Sequence, residues 1–402
     1  MASPYYHLND LNFSKLAYCL TLSAIHILVG SVVFDLVHLT IHWSGRSSNS
    51  ILRGLARAHV AHHQYFDRQL HFNQRFSTRN LLLHLPLELV CQTVGSVTSW
   101  ALSLLIAPRA SLVADEDLAI AIAFLIIRSS VVAWNEGRDS NHITYTQLPK
   151  DPHSVVVGPQ YHALHHIDPD AYFGSMIRLV DWVFGTATTL RGRRIAITGA
   201  RGALGQALLE DLSQERGTCV QALQFGRDWN YEDYSGLESI LRGADILVLA
   251  HGSKVADHAL KANHESAVAI IKTFLRVREQ SKSLLLPEVW YIGSEAELYG
   301  SWTDDMRAYT DSKRAFLPTA RALYEEEGVI YRHIVPAAFS SSMGRSVVSA
   351  QWTAKACLWW IRRGACYVPV TYTGMAFLNF FRFRYLVTAA MLPWNEAKDK
   401  NS

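Results

Sequence analysis

Cysteine and charge are the two things this chain has little of. Its five cysteines, Cys19, Cys91, Cys219, Cys357 and Cys366, are scattered, odd in number and nowhere spaced C-x-x-C. That pattern argues against a thiolate metal site and a disulfide framework, and it fits a reducing compartment for any soluble part. Charged residues are only 18% of the 402 and nearly cancel, at +3. With no basic tail and no Lys/Arg block, nucleic acid is not an expected partner. No Glu-x-x-His pair is present, so the carboxylate-bundle route to a di-iron site is closed. What is abundant is apolar: 49% of residues are hydrophobic, which reads as a membrane part diluted by a soluble one, in a chain too long for one core.

Three apolar stretches locate the membrane part: Leu16 to His42, Leu81 to about Ala107, and Leu118 to about Trp134. Each approaches the roughly 20 residues that a bilayer requires. The last two are separated by PRASLVADED, a polar hairpin, so their outer ends face one side. Segment 43–80 holds Arg46, Arg53, Arg57, Arg68, Arg75 and Arg79 against the single acid Asp67, and the positive-inside rule makes it cytoplasmic. No basic run precedes the first stretch, so an anchor is expected rather than a cleaved signal.

This topology, derived from arginines and hydropathy, puts three histidine clusters on one membrane face: HLTIH at 38–42, HVAHH at 59–63 and HALHH at 162–166. On a helix, residues three or four apart share a face, so each cluster can aim several imidazoles one way. Fourteen of the eighteen histidines precede residue 167. Neutral imidazole is a good ligand for first-row transition metals, and eight clustered ligands suit two ions.

H-x-x-x-H, H-x-x-H-H and H-x-x-H-H in this order, with a membrane hairpin between the second and third, resemble the fatty acid hydroxylase/sterol desaturase superfamily of membrane di-iron enzymes. The resemblance covers residues 15–187 and ends in DWVFGT. It implies two iron ions held by His38, His42, His59, His62, His63, His162, His165 and His166, with His142 of NHITYT as a further ligand and His153 as its competitor. His71 and His84 are expected to be supporting, while His7 and His26 lie toward the other face. It also implies O2-dependent hydroxylation or desaturation of a lipid, with electrons from a ferredoxin or a b-type cytochrome.

The chain changes character at Arg191. RRIAITGARGALGQALLEDL reads as strand, glycine-rich turn and helix, with Gly199, Gly202 and Gly205 spaced so that backbone can approach a pyrophosphate. Further strands follow in DILVLAHGS and EVWYIGS, and then Tyr309 and Lys313 in YTDSK. This order resembles the short-chain dehydrogenase/reductase family over 191–370. Carried over by position, Tyr309 would be the general acid/base and Lys313 would lower its pKa and hold the nicotinamide ribose. Ser294 would bind the reacting oxygen, and Asn263 would support a proton relay. Ala337 stands where the family has glycine, and AHGS replaces Asn-Ala-Gly. Arg201 and Arg227 could pair with a ribose 2′-phosphate, favouring NADP(H) over NAD(H), whereas Asp228 could hold a 2′-hydroxyl.

The expected architecture is therefore a helical membrane domain of about three spans with a histidine-rich di-metal site (1–187), then an α/β Rossmann-like, doubly wound parallel sheet (191–370). An apolar interfacial or substrate-covering segment closes the chain (371–402). The layout resembles bifunctional desaturase-like/short-chain dehydrogenase proteins of photosynthetic bacteria and, more distantly, plant wax-alkane-forming proteins. About six residues join the halves, without a Pro-, Gly- or Ser-rich linker. A bifunctional lipid oxidoreductase is the first reading. The second is a membrane oxygenase whose Rossmann half only binds nucleotide.

Overall fold

The computed structural model describes residues 13–45, 47–106, 115–281, 283–301, 303–392 and 394. His7, Arg46 and most of the hairpin expected at 108–117 lie outside the described residues. The chain divides into two compact units, 1–145 with 151–187, and 146–150 with 188–402.

The first unit is helical: α1 (Phe13–Ser44), α2 (Ser50–Tyr65), the single turn α3 (Ser77–Arg79), α4 (Leu85–Ile106), α5 (Glu116–Trp134), α6 (Pro159–Ile167) and α7 (Leu179–Phe184). Three stretches are long and apolar enough to cross a membrane: Lys15–Ser44, Gln74–Leu105 and Glu116–Trp134. The middle one starts earlier than hydropathy alone suggests, because α3 continues through a π-turn, Asn80–His84, into α4. Helix α2 starts where Asn49 caps it, its side chain accepting from the amides of Ile51 and Leu52; a capping oxygen of this kind satisfies amides that no helical carbonyl reaches.

Helices α1 and α4 meet at two glycines. A Cβ on Gly30 would collide with the carbonyl of Gln92, and one on Gly95 would come within 2.7 Å of the Gly30 Cα. Small residues at such a crossing let backbones approach, the usual basis of helix association in lipid. Gly95→Leu is expected to cost about 1–3 kcal/mol or more through overpacking, read as a lower unfolding temperature in detergent. Gly54→Ala on α2, where a Cβ meets nothing within 4 Å, should leave that temperature unchanged or raise it.

The second unit alternates strands and helices. In order these are β1 (Arg194–Thr198), α8 (Ala203–Ser213), β2 (Cys219–Leu223), α9 (Glu238–Gly243), β3 (Ile246–Leu249), α10 (Ala256–Leu260), α11 (Ser266–Glu279), β4 (Glu288–Ile292), α12 (Ala296–Tyr299), α13 (Arg307–Glu325), β5 (Ile330–Pro336), α14 (Ala350–Arg362), β6 (Tyr367–Val370) and α15 (Met375–Tyr385). The six strands form one parallel sheet in the order β2-β1-β3-β4-β5-β6. Side chains alternate across it as the two-residue period of a strand demands: Val289 and Tyr291 of β4 join one core with Phe274 and Phe316, while Trp290 and Ile292 join the other with Leu208 and Leu358. Both faces are covered, which is why these strands read as near-continuous apolar runs. The order reverses between β1 and β3, the crevice where open α/β sheets bind ligands. Helix α15 lays Ala376 and Phe383 on the first core and leaves Phe377, Leu378, Phe381 and Tyr385 exposed. The apolar segment expected at 374–394 is thus half core helix.

Candidate functional site

In the helical unit the nine histidines singled out from sequence fall into two groups. One is His38, His42, His59, His63 and His165; the other is His62, His142, His162 and His166. Within each, the ligand nitrogens lie within 4.8 Å of one another. His153 is exposed and stands in neither group. His26 is bonded elsewhere, to Ser99 (2.9 Å) and Asp117 (3.4 Å).

Five of the outer nitrogens are held by oxygen atoms. Nδ1 of His38, His165 and His166 meets the carbonyl oxygens of Phe173 (3.1 Å), Ala171 (2.8 Å) and Phe66 (2.8 Å). Nδ1 of His62 meets Asn80 Oδ1 (3.2 Å), and Nδ1 of His142 meets Asp139 Oδ1 (2.7 Å). A carbonyl or carboxylate oxygen only accepts, so Nδ1 carries the proton and Nε2 of a neutral ring is bare. Burial keeps the rings neutral: it drives His59, His63, His162, His165 and His166 well below their ordinary value and His62 to about 3.

Yet the Nε2 atoms face one another. The separations are 2.9 Å for His38 and His59, 3.0 Å for His59 and His63, and 3.1 Å for His63 and His165. In the second group they are 3.2 Å for His62 and His142, 3.0 Å for His142 and His162, and 3.2 Å for His162 and His166. His62 and His142, whose Nδ1 atoms both meet oxygens, present two bare lone pairs to each other, and these repel unless a cation lies between them. Two nitrogens each about 2.1 Å from one ion and about 90° apart would stand about 3.0 Å from each other. The donor set therefore fits two transition-metal ions. The Nε2 of His42 and the Nδ1 of His63, both buried, have no hydrogen-bond partner.

Sequence reasoning missed Asn80 and Asp139, which orient two of these rings, and it could not foresee backbone carbonyls in that role. His84, expected to be supporting, stacks on His62 with ring centroids 4.0 Å apart. Two cavities adjoin the histidines. One is lined by His38, His59, His62, His142 and His162 with Glu88, Arg128 and Asp139. The other, about 980 Å³, is walled by Phe124, Ile127, Val131 and Val157, and it shares Arg128, Asp139, Asn141 and Ser175 with the first.

In the sheet unit the glycine turn sits after β1. Gly199 has φ +68°, and a Cβ there would come within 2.5 Å of Ala250 and His251 on the neighbouring strand end. A Cβ on Gly205 would collide with the Gly199 carbonyl. Gly202 caps α8 without a side chain, so the first amides of that helix remain available to an anion. This cradle fits a dinucleotide pyrophosphate. Arg201 Nη2 reaches Gln224 Oε1 (2.8 Å), just past the end of β2, where a ribose 2′-position is recognised. Arg227 is turned onto Asp228 (2.8 Å), whose carboxylate also accepts from the Gln224 amide (2.7 Å). Of the two arginines, only Arg201 remains over the turn, and Asp228 is engaged.

Ser294 follows β4, and Tyr309 and Lys313 lie one turn apart on α13. The Ser294 hydroxyl, which accepts from the Ala296 amide (3.2 Å), acts to lower the Tyr309 phenol, yet burial is the larger effect and pushes it up to about 12. The Lys313 ammonium stands 5.9 Å from the phenol ring centre. Burial pulls Lys313 down to about 8, while the charge of Glu297 acts the other way. Lys313 Nζ donates to the Ile292 carbonyl (2.7 Å) and lies 3.4 Å from the Tyr291 hydroxyl, which donates to the Asn263 carbonyl (2.7 Å). The Asn263 amide itself is consumed by Ser253 (2.7 Å) and Ser312 (2.9 Å). The Asn263 carbonyl, in the π-turn Lys261–Glu265, is thus linked to Lys313 through the hydroxyl of Tyr291, a residue the sequence reading did not single out.

Fold and sites together define the chain as a fusion. Three apolar helices with a histidine-rich cluster precede a Rossmann-type unit with a six-stranded parallel sheet. No family model matches the chain. Among curated proteins it is similar to the monoglucosyldiacylglycerol epimerase of Synechocystis sp., 26% identical over 255 residues, covering 57% of this chain. The match spans only 62% of the length of that relative. Solved structures that align include a short-chain dehydrogenase of Burkholderia cenocepacia with NADP (16% identity, TM-score 0.42, covering 48% of this chain and 94% of that one). Another is a short-chain dehydrogenase of Sphingobium yanoikuyae with NADPH (17%, 0.38, 47% and 92%).

Proposed function

We propose that the chain is a membrane enzyme whose Rossmann unit interconverts a hydroxyl and a carbonyl on a lipid, using NAD(P)(H) with NADP(H) favoured. The observation that carries this is Ser294 just past β4 beside a half-buried Tyr309, with Lys313 one turn away and anchored on the Ile292 carbonyl, in the unit that holds the glycine turn. Gly199, Gly202, Gly205 and Arg201 would hold the cofactor, which supplies the hydride chemistry. Ser294 would bind the substrate oxygen and Tyr309 would hold its proton. A phenol near 12 is protonated at neutral pH, so it is poised to donate to a carbonyl.

The name of the relative supports a glycolipid as substrate, with inversion at one sugar carbon as the net outcome when oxidation and reduction occur in turn. The test is incubation of the purified full chain with NAD(P)+ and a glucosyl- or galactosyl-diacylglycerol. Appearance of the epimeric sugar or of a keto-sugar lipid is expected; neither product with any lipid alcohol or ketone would overturn the reading.

For the helical unit we propose a pair of iron ions and O2-dependent hydroxylation or desaturation of a lipid, with electrons from a ferredoxin or b-type cytochrome. The apolar cleft adjoining the histidine-lined cavity favours this. Both sites are proposed to face the cytoplasm, on the strength of the arginines of segment 43–80.

Carbonyl reduction requires Tyr309 protonated and Lys313 charged. Its kcat/KM is therefore expected to be flat from pH 6 to about 8 and to fall about tenfold per unit above that, as the lysine, at about 8, loses its proton. Glu297→Gln removes the charge that holds Lys313 up, so the fall should begin at lower pH. A profile unaltered by that change would contradict the assignment.

A further inference from the structure

Of the nine histidines in the two groups, His142 is the one whose Nδ1 meets a carboxylate among the described contacts; the other bonded outer nitrogens meet carbonyl or amide oxygens, or the ring of His84. That carboxylate does not stand alone. Asp139 Oδ1 accepts from Nδ1 of His142 (2.7 Å) and from the Asn141 amide (2.8 Å). Its Oδ2 lies 3.9 Å from Arg128 Nη2 on α5. Arg128 Nη1 in turn donates to Glu88 Oε1 on α4 (2.7 Å), and Gln92 Nε2 donates to the same oxygen (3.0 Å). The line runs from the apolar part of α4, through α5, to a histidine of the four-membered group, and Glu88, Arg128 and Asp139 all line the histidine cavity.

Its charges sum to one negative, placed at the His142 end. Charged residues inside a membrane helix are costly and persist where they are paired. A carboxylate behind a ligating imidazole fixes its tautomer, makes it more basic and offsets part of the charge of the ion. The five-membered group has no such carboxylate among its described contacts. The two groups therefore differ in charge as well as in number.

We propose that Glu88, Arg128 and Asp139 form a charge line that positions His142 and selectively tightens the four-histidine metal site. Asp139 is a positioning residue, acting through His142, and Arg128 aims its carboxylate. This rests on the reading that the histidines bind two ions.

The test is metal content and affinity of the full chain, reconstituted with Fe(II) or Co(II) and titrated with a chromophoric chelator. In Asp139→Asn one ion should be held 10–100-fold more weakly, the scale of such outer partners, and the second should keep its affinity. Arg128→Gln should show the same selective weakening to a smaller degree, and Asp139→Glu, which retains the charge, should restore most of it. Both ions held as in the unaltered chain, both weakened equally, or no difference between Asp139→Asn and Asp139→Glu would each overturn the charge line. An unaltered chain that binds no metal would instead remove the metal reading beneath it.

Discussion

Tyr309→Phe is expected to lower NAD(P)-linked turnover by about 10²–10⁴-fold, the usual weight of a positioned proton-transfer group, while cofactor affinity stays within about twofold. The two readouts separate because the parts are separate. The ring would still fill its buried place, and the nucleotide is gripped by the glycine turn and the N-terminus of α8. Lys313→Met should lose both, since the ammonium is anchored by the Ile292 carbonyl beside the same strand end and faces the ribose in the proposed complex. Turnover and cofactor binding by titration calorimetry check this. Wild-type turnover in Tyr309→Phe would leave the Rossmann unit as a binding module, the second reading drawn from the sequence.

Purified protein is expected to carry about two transition-metal ions per chain, and His62→Ala or His165→Ala to lower that by about one, each from a different group. The expectation is steep because His62 and His142, each with its Nδ1 on an oxygen, face each other with Nε2 atoms 3.2 Å apart. Elemental analysis of both variants checks it. Full metal content in a chain lacking all eight clustered histidines would end the hypothesis.

The histidine clusters were legible as helix faces, but the way they divide was not. In HVAHH, His59 and His63 go to the five-membered group and His62 to the other; in HALHH, His162 and His166 go to the four-membered group and His165 to the other. Each of these two clusters therefore contributes to both groups, with the roles exchanged. The physical cause is the helical step of about 100° per residue, which sends neighbours such as His62 and His63 apart and keeps residues four apart together. Spacing predicts such pairs, but only packing of α2 against α6 assigns them. The glycine turn and the Ser-Tyr-Lys order were equally legible, because backbone approach and a one-turn spacing are local matters. Asn80, Asp139 and Tyr291 were not, since each matters through a partner 3 to 22 residues away. Burial, invisible in a motif, pushes the Tyr309 phenol up and outweighs the Ser294 hydroxyl that acts the other way.

Both sites also contain a π-turn, Asn80–His84 beside the histidines and Lys261–Glu265 beside the cofactor cradle, and each includes an asparagine that serves its site. A π-turn is a helix carrying one residue more than its path requires. Deleting a single residue from either turn would therefore leave an uninterrupted α-helix of good quality and an enzyme without its site. The missing residue would rotate everything on one side by about 100°, carrying Asn80 off His62 or the Asn263 carbonyl off Tyr291. In these two helices the length of the chain, counted to the residue, is itself part of the chemistry.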